Sequence, residues 1–312
     1  MQPERFDHFM ARANAAYYAQ HDPFADFVTA PELTQVFGEV LGAWARVVWQ
    51  MMGSPPDIHL VEAGGGRGVM MADMLRNFPA ANVHFIETST RLQAEQASRV
   101  PHASWHQRLA DLPAGDLIII ANEFLDALPV RQFICRDGVW HERFVADGAY
   151  IEQPADIILP SAPDNTVQEI NETAAAFIRE IADRNAIGLF IDYGPMQSAP
   201  GESVQAIHQG KFSNPLLAPG EADITAHVDF AALAQTAHAA GAATQGPVKQ
   251  NAFLTALGFM QRTGQLAQRN PAMAQNLHLA AQRLTDPAAM GSLFKVLAVC
   301  PANFPTLPGF EA

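Results

Sequence analysis

Three things are scarce in this chain. No uninterrupted apolar run approaches the roughly 18 residues that cross a bilayer as a helix, so no membrane span is expected. Cysteine occurs only as Cys135 and Cys300 in 312 residues, without metal-type spacing. The two read as buried or idle thiols of a reducing compartment. Positive charge is also sparse: 19 Lys and Arg face 32 Asp and Glu, for a formal charge of −13. No dense basic cluster offsets that balance, which argues against an electrostatic grip on nucleic acid or anionic lipid. The opening residues, MQPERFDHFMARANAAYY, carry neither a basic-then-apolar leader nor an Arg/Ser-rich, acid-poor presequence. A cytoplasmic location is expected on that ground.

What is abundant is apolar side chain, 49% of residues, enough for a substantial core. Residues 6–20 and 32–52 read as helices, joined by the turn-rich HDPFADFVTAP. An alternation follows. IHLVEA, NVHFIET, ASWH and DLIIIANE read as strands, with helices over GVMMADMLRNF and STRLQAEQASRV between them. Met70, Met71, Met74 and Leu75 recur at helical spacing and belong to the core. Strands alternating with helices predict parallel βαβ units, and a run such as LIII fits a sheet covered on both faces.

From residue 131 the pattern changes. RQFICRDGVWHERFV reads as a hairpin turning at Asp137-Gly138. A helix over TVQEINETAAAFIREIADR and a fifth strand, AIGLFIDYG, follow the Pro-rich stretch 154–163. Helices are expected over 227–240, 250–262 and 271–285, and a last strand over 293–300. The expected fold is α/β, a doubly wound Rossmann-like sheet, mostly parallel with an antiparallel last strand. The whole chain, 1–312, reads as one domain. Residues 1–54 form an N-terminal helical cap, 55–135 and 186–300 the sheet core, and 195–290 a largely helical insertion.

The first strand ends in GGGRG. A strand, a glycine-rich turn and a helix recur where nucleotide-like ligands bind, because glycine admits positive φ and lets a ligand approach the backbone. A dinucleotide fingerprint, G-x-G-x-x-G, fails here because Val69 stands at its last glycine. What remains is Glu62-x-Gly64-x-Gly66-x-Gly68, with Glu87 closing the second strand where an acid can accept ribose hydroxyls. A plain tight turn is the alternative. Arg67 reads as structural.

Beyond that loop, DFVTAPELTQVFGE, VEAGGGRG, FIETSTRLQAEQ, ANEFLDALPVRQF, GLFIDYG, PGEADITAHVDF and MGSLFKVLAV occur in one order along nearly the whole chain. In this the sequence resembles the MidA-like methyltransferases, a family that includes a mitochondrial complex I assembly factor that dimethylates arginine. The resemblance implies a class I methyltransferase fold, S-adenosylmethionine as methyl donor, and a protein arginine as acceptor, with a complex I subunit as one option. Two departures stand out: Gly64-Gly65-Gly66 replaces the family's glycine-proline-glycine, and DPFADFVTAPE is shorter than usual.

Within this frame Glu62, Gly64, Gly66, Gly68, Glu87, Asp111 and Asn122 are assigned to the cofactor. Glu123, Asp126 and His227 are assigned to catalysis. Glu123 and Asp126 follow the fourth strand, whose carboxyl end is where ligands of such sheets sit. A carboxylate accepts the donor fork of a guanidinium and draws positive charge from the attacking nitrogen. The competing reading has Glu123 binding backbone amides of the next turn and Asp126 capping a short helix. Asp111 can equally cap a turn, and His106 with Trp105 can flank adenine or simply pack. Glu32 reads as a helix-start acid. The eleven histidines form no metal-ligand pattern, and no G-x-S-x-G elbow appears. A small-molecule acceptor and a non-catalytic assembly chaperone are the alternative functions, and a homo-oligomer is compatible with the chain.

Overall fold

The computed structural model describes residues 2–22, 28–79 and 81–311. The shortened DPFADF segment lies largely outside them. The chain opens with β1 (Glu4–Arg5) and α1 (Phe6–Gln20). One stripe of α1 buries Phe6, Phe9, Met10, Ala13 and Tyr17, the spacing of a helix face laid on a core. Asn14, on that helix, donates to the carbonyls of Ala127 and Ile224 and accepts the Ile224 N–H. Those bonds fasten α1 over two distant loops.

The helix expected over 32–52 is two helices, α2 (Ala30–Leu33) and α3 (Gln35–Met51). Thr34 separates them with extended backbone and caps α3 by accepting the Val36 N–H. Next come β2 (Ile58–Ala63), α4 (Val69–Met74), β3 (Asn82–Ile86), α5 (Thr90–Arg99), β4 (Ser104–His106) and β5 (Asp116–Asn122). Gly42 lets α3 lie directly on α4: a Cβ there would stand 2.2 Å from the Met74 carbonyl oxygen.

An antiparallel region follows: β6 (Arg131–Arg136), β7 (Val139–Ala146), β8 (Ala149–Pro154) and β9 (Val167–Ile170). The hairpin turning at Asp137-Gly138 is present, both residues at positive φ, as its two-residue turn demands. It belongs to a larger sheet that β1 also joins. Residues 167–170, expected in a helix, are strand β9 paired with β6, and Asn171 caps α6 (Glu172–Asp183) instead. Sheet pairing overrides helical spacing there.

The chain continues through β10 (Ile187–Tyr193), β11 (Gln205–His208), β12 (Lys211–Ser213), β13 (Asp223–Thr225), α7 (Phe230–Ala239) and β14 (Ala242–Lys249). It ends with α8 (Gln250–Ala256), α9 (Phe259–Arg269), α10 (Ala274–Thr285), α11 (Met290–Leu293) and β15 (Phe294–Pro301). The stretch 195–290, read as largely helical, thus also holds four strands. Three form a small sheet, and β14 joins the central one.

The central sheet runs β14-β15-β10-β5-β2-β3-β4. Its β4, β3, β2, β5 and β10 pair in parallel, whereas β15 is antiparallel to both neighbours. This is the doubly wound sheet with an antiparallel last strand. Along β5, Ile118 and Ile120 join the core on one face, and Leu117, Ile119 and Ala121 the core on the other. A strand buried on both faces has no polar alternation to show. Chain order reverses between β2 and β5, so a crevice opens beyond their carboxyl ends.

Candidate active site

That crevice is a cavity of about 850 Å³. Its walls come from α1, the loop after β2, the tips of β3, β5 and β10, and residues around β11–β13.

The glycine turn shapes one part. Gly64, Gly66 and Gly68 all take positive φ. At Gly64 the requirement is doubled, since a Cβ would also stand 2.7 Å from the Phe124 ring. Glu62 is buried beneath the turn, and burial raises its pKa well above the usual range, opposed by the Met71 N–H and assisted by Glu87. Glu87 is held by the Ser89 N–H at 2.8 Å and by Gln96 Nε2 at 3.3 Å, and burial raises its pKa too. Gln96 Nε2 also donates to the Gly66 carbonyl at 2.8 Å, and its Oε1 accepts from Trp105 Nε1. One fully buried amide therefore links the turn, the acid of β3 and the indole of β4.

Arg67 has the structural role expected of it. It pairs with Asp22, with Glu32 at 3.8 Å and with Glu95 at 3.6 Å. Ser89 Oγ donates to the Tyr18 carbonyl and Arg91 to the His21 carbonyl. The end of α1 is thus fastened across the glycine-turn side of the cavity.

The second part is built of acids and phenols. Asn122, at the tip of β5, donates to Glu123 at 3.1 Å, and the Ala30 N–H approaches the same oxygen at 3.4 Å. Glu123 takes a positive φ of 52°, a strained conformation for a non-glycine residue. It is half-buried and lines the cavity, with its carboxyl largely desolvated by protein. That desolvation, with Asp126 nearby, pushes its pKa up to about 8. Burial raises the Asp126 pKa to about 6, with the Tyr193 hydroxyl opposing the shift.

Asp192, at the end of β10, fixes this turn. Its Oδ2 accepts the N–H groups of Phe124, Leu125 and Asp126 at 3.0–3.2 Å. The backbone-binding role considered for Glu123 therefore belongs to Asp192. Tyr193 donates to Thr225 Oγ1 at 2.7 Å, and Tyr18 to Asp223 Oδ1 at 2.7 Å. Burial beside Asp223 and Asp126 keeps Tyr18 protonated.

Glu62, Gly64, Gly66, Glu87, Asn122, Glu123, Asp126 and His227 all line the cavity. Gly68 supports the turn from outside the lining, as the left-handed residue before α4. His227 stands exposed at the mouth, its ring edge-on to Tyr193 at 5.6 Å. Asp111 is not brought in. It caps an exposed turn at Leu109–Asp111 and pairs with Arg108 at 2.8 Å, so the cofactor contact expected of it is withdrawn. His106 is outside the cavity lining; it bonds His84, which bonds His59, at 3.0 and 2.9 Å. Gln96, Asp192, Tyr193, Tyr18 and Asp223 escaped the sequence reading. The strand motif GLFIDYG contained Asp192 and Tyr193, but only the β5–β10 register shows which turn the acid holds.

The lining residues fit a nucleoside that carries an amino acid. Glu62 Oε2, Asn122 Oδ1 and Asp126 Oδ1 are buried without a hydrogen-bond partner among the described residues. Buried acceptors of this kind call for donors from a ligand. The Glu87 carboxylate lines the same cavity just past β3, and the glycine turn leaves its backbone approachable.

Comparison with known proteins agrees. The chain is 33% identical to the protein arginine methyltransferase NDUFAF7 homolog, mitochondrial, of Drosophila melanogaster, over 94% of this chain and 79% of that protein. With the protein arginine methyltransferase NDUFAF7, mitochondrial, of Homo sapiens it shares 31% identity over 91% of this chain and 76% of the relative. Both relatives are named as mitochondrial, which overturns the cytoplasmic location expected from the opening residues. A superfamily member from Burkholderia thailandensis, crystallised with S-adenosyl-homocysteine, superposes with a TM-score of 0.82 at 24% identity, over 99% of this chain and 89% of its own. The family model Methyltransf_28 matches residues 40–248. The chain belongs to this family of S-adenosyl-L-methionine-dependent methyltransferases.

Proposed function

We propose that the acceptor is an arginine side chain of a protein, methylated on a guanidinium nitrogen. The names of the relatives suggest it, and one observation of this structure carries it: the carboxylates of Glu123, Asp126 and Asp223 line the same cavity as the glycine turn. Arg67, also in the lining, is already engaged by acids. A cationic, multiply donating acceptor is what such a wall receives.

Glu62, the Gly64–Gly68 turn, Glu87 and Asn122 hold the cofactor, which when bound supplies an electrophilic methyl on a sulfonium. Glu123 accepts guanidinium N–H groups and orients one nitrogen for in-line attack. Its negative charge holds the positive charge of the acceptor away from that nitrogen. The nitrogen that gains the methyl, which the cofactor would release from its sulfur to leave a neutral thioether, loses a proton. The Glu123–Asp126 pair, titrating near neutrality, takes it at a carboxylate oxygen. Asp192 keeps both carboxyls in place through the backbone of their turn. The cap formed by α1 limits water at the reacting atoms.

The test is transfer of labelled methyl from S-adenosylmethionine into a protein extract, then acid hydrolysis and amino-acid analysis. Labelled methylarginine is the expected product. Label confined to the small-molecule fraction would establish the small-acceptor alternative. Cofactor binding without any transfer would establish the scaffold.

A further inference from the structure

The cavity mouth carries a feature that holding a cofactor and a guanidinium does not require. Three large apolar side chains from separate elements are exposed around it: Val28 before α2, Phe212 on β12 and Leu293 at the end of α11, at 42%, 78% and 51%. Single exposed apolar residues are ordinary, but convergence on the rim of one polar cavity is a mark of an interface.

Among the described residues, the outer backbone edge at Phe212 is also unpaired. The small sheet runs β12-β11-β13, so β12 is an edge strand with no partner on its outer side among the described residues. Its turn, Gln209-Gly210, has positive φ at both positions, and His208 pairs with Lys211 across it. In such a two-residue hairpin the flanking pair exchanges the ladder hydrogen bonds, so the next residue, Phe212, turns its N–H and C=O outward. All three residues of β12 are exposed. An unpaired edge is a template for an added strand.

The geometry points to β12 and the Val28–Phe212–Leu293 rim as the docking surface for an extended segment of the acceptor protein. Resting on the arginine reading above, it gives that reading a means of choosing among arginines. The segment pairs along the outer edge of β12 and lays an apolar side chain on Phe212. Its arginine descends to the carboxylates of Glu123, Asp126 and Asp223. Charge complementarity fixes the occupant: the acids along the cavity below the rim accept a segment that carries an arginine.

The test uses the full-length protein, S-adenosylmethionine and two probes, a pool of capped nonapeptides with central arginine and acetyl-arginine amide. Wild type is expected to favour the peptide pool. Phe212→Asp should lower kcat/KM for the pool by about tenfold, through KM, and shrink the ratio of pool to small acceptor by the same factor. Calorimetry with S-adenosylmethionine should show unchanged affinity, which excludes misfolding. An unchanged ratio overturns the docking surface and leaves the arginine reading intact. A change in oligomeric mass with unchanged peptide kinetics assigns the face to a second copy and overturns it as well. A wild type that modifies neither probe overturns the arginine reading and this surface together.

Discussion

The two parts of the cavity differ in how they are made. The part proposed for the cofactor comes from one stretch, β2, its glycine turn and the tip of β3, so neighbouring residues in sequence meet in space. The part proposed for the acceptor is assembled from α1, the tip of β5, the tip of β10 and β13, through bonds such as Tyr18 to Asp223 and the Phe124–Asp126 amides to Asp192. The first is a motif and the second a convergence.

If the two parts divide the labour, substitutions should separate binding from transfer. The largest effect belongs to Glu123→Gln, which should lower kcat at least about a hundredfold with little change in cofactor affinity by calorimetry. Transfer at the wild-type rate would remove Glu123 from the mechanism. The wild-type pH profile sharpens the point. Because the carboxylate is the working form and its pKa is raised to about 8, kcat/KM should rise with pH and level off above about 8. A profile flat from pH 6 to 9 would contradict this.

Gly64→Ala attacks the other part. Positive φ and the Phe124 ring both oppose a Cβ, so urea denaturation should report a loss of about 2 kcal/mol, together with weaker cofactor binding. Glu87→Gln is milder, with cofactor affinity about tenfold lower and kcat at saturation nearly retained. An equal loss in both quantities would erase the distinction between the two parts.

The smallest effect lies outside the cavity, in the hydrogen-bonded row His59–His84–His106. Burial, then its histidine neighbours, lowers the His84 pKa from 6.5 to about 4. The folded state favours neutral imidazole, whereas the unfolded chain takes up a proton below about 6.5. The contribution to stability is therefore complete above that pH and is lost as pH falls toward 4. Urea midpoints of His84→Asn should fall less steeply than wild type between pH 6.5 and 4. Parallel curves would show that His84 does not titrate as described.

These differences also explain what was legible in the sequence. GGGRG and the acids Glu62 and Glu87 announce themselves because glycine spacing and strand ends are local signals. β5 is readable because LIII, in its place in a strand–helix alternation, fits a strand covered on both faces. Strand β9 was missed because pairing with β6, thirty-odd residues away in the chain, decides it rather than its own pattern. Gln96 looks like any polar residue of an amphipathic helix until β4 brings Trp105 against it. Tyr18 and Asp223 lie far apart in sequence, and only the fastening of α1 by Asn14 brings them together. Asp111 misled for the converse reason: an acid after a strand is legible, but its neighbour Arg108 satisfies it locally.

The most direct test is a crystal structure of the protein with S-adenosyl-homocysteine and an arginine peptide. The account predicts ribose hydroxyls on Glu87, the amino-acid part of the nucleoside at the glycine turn, and the guanidinium within hydrogen-bond reach of Glu123. A nucleoside bound elsewhere, or a guanidinium held away from Glu123 with the cofactor correctly seated, would contradict it.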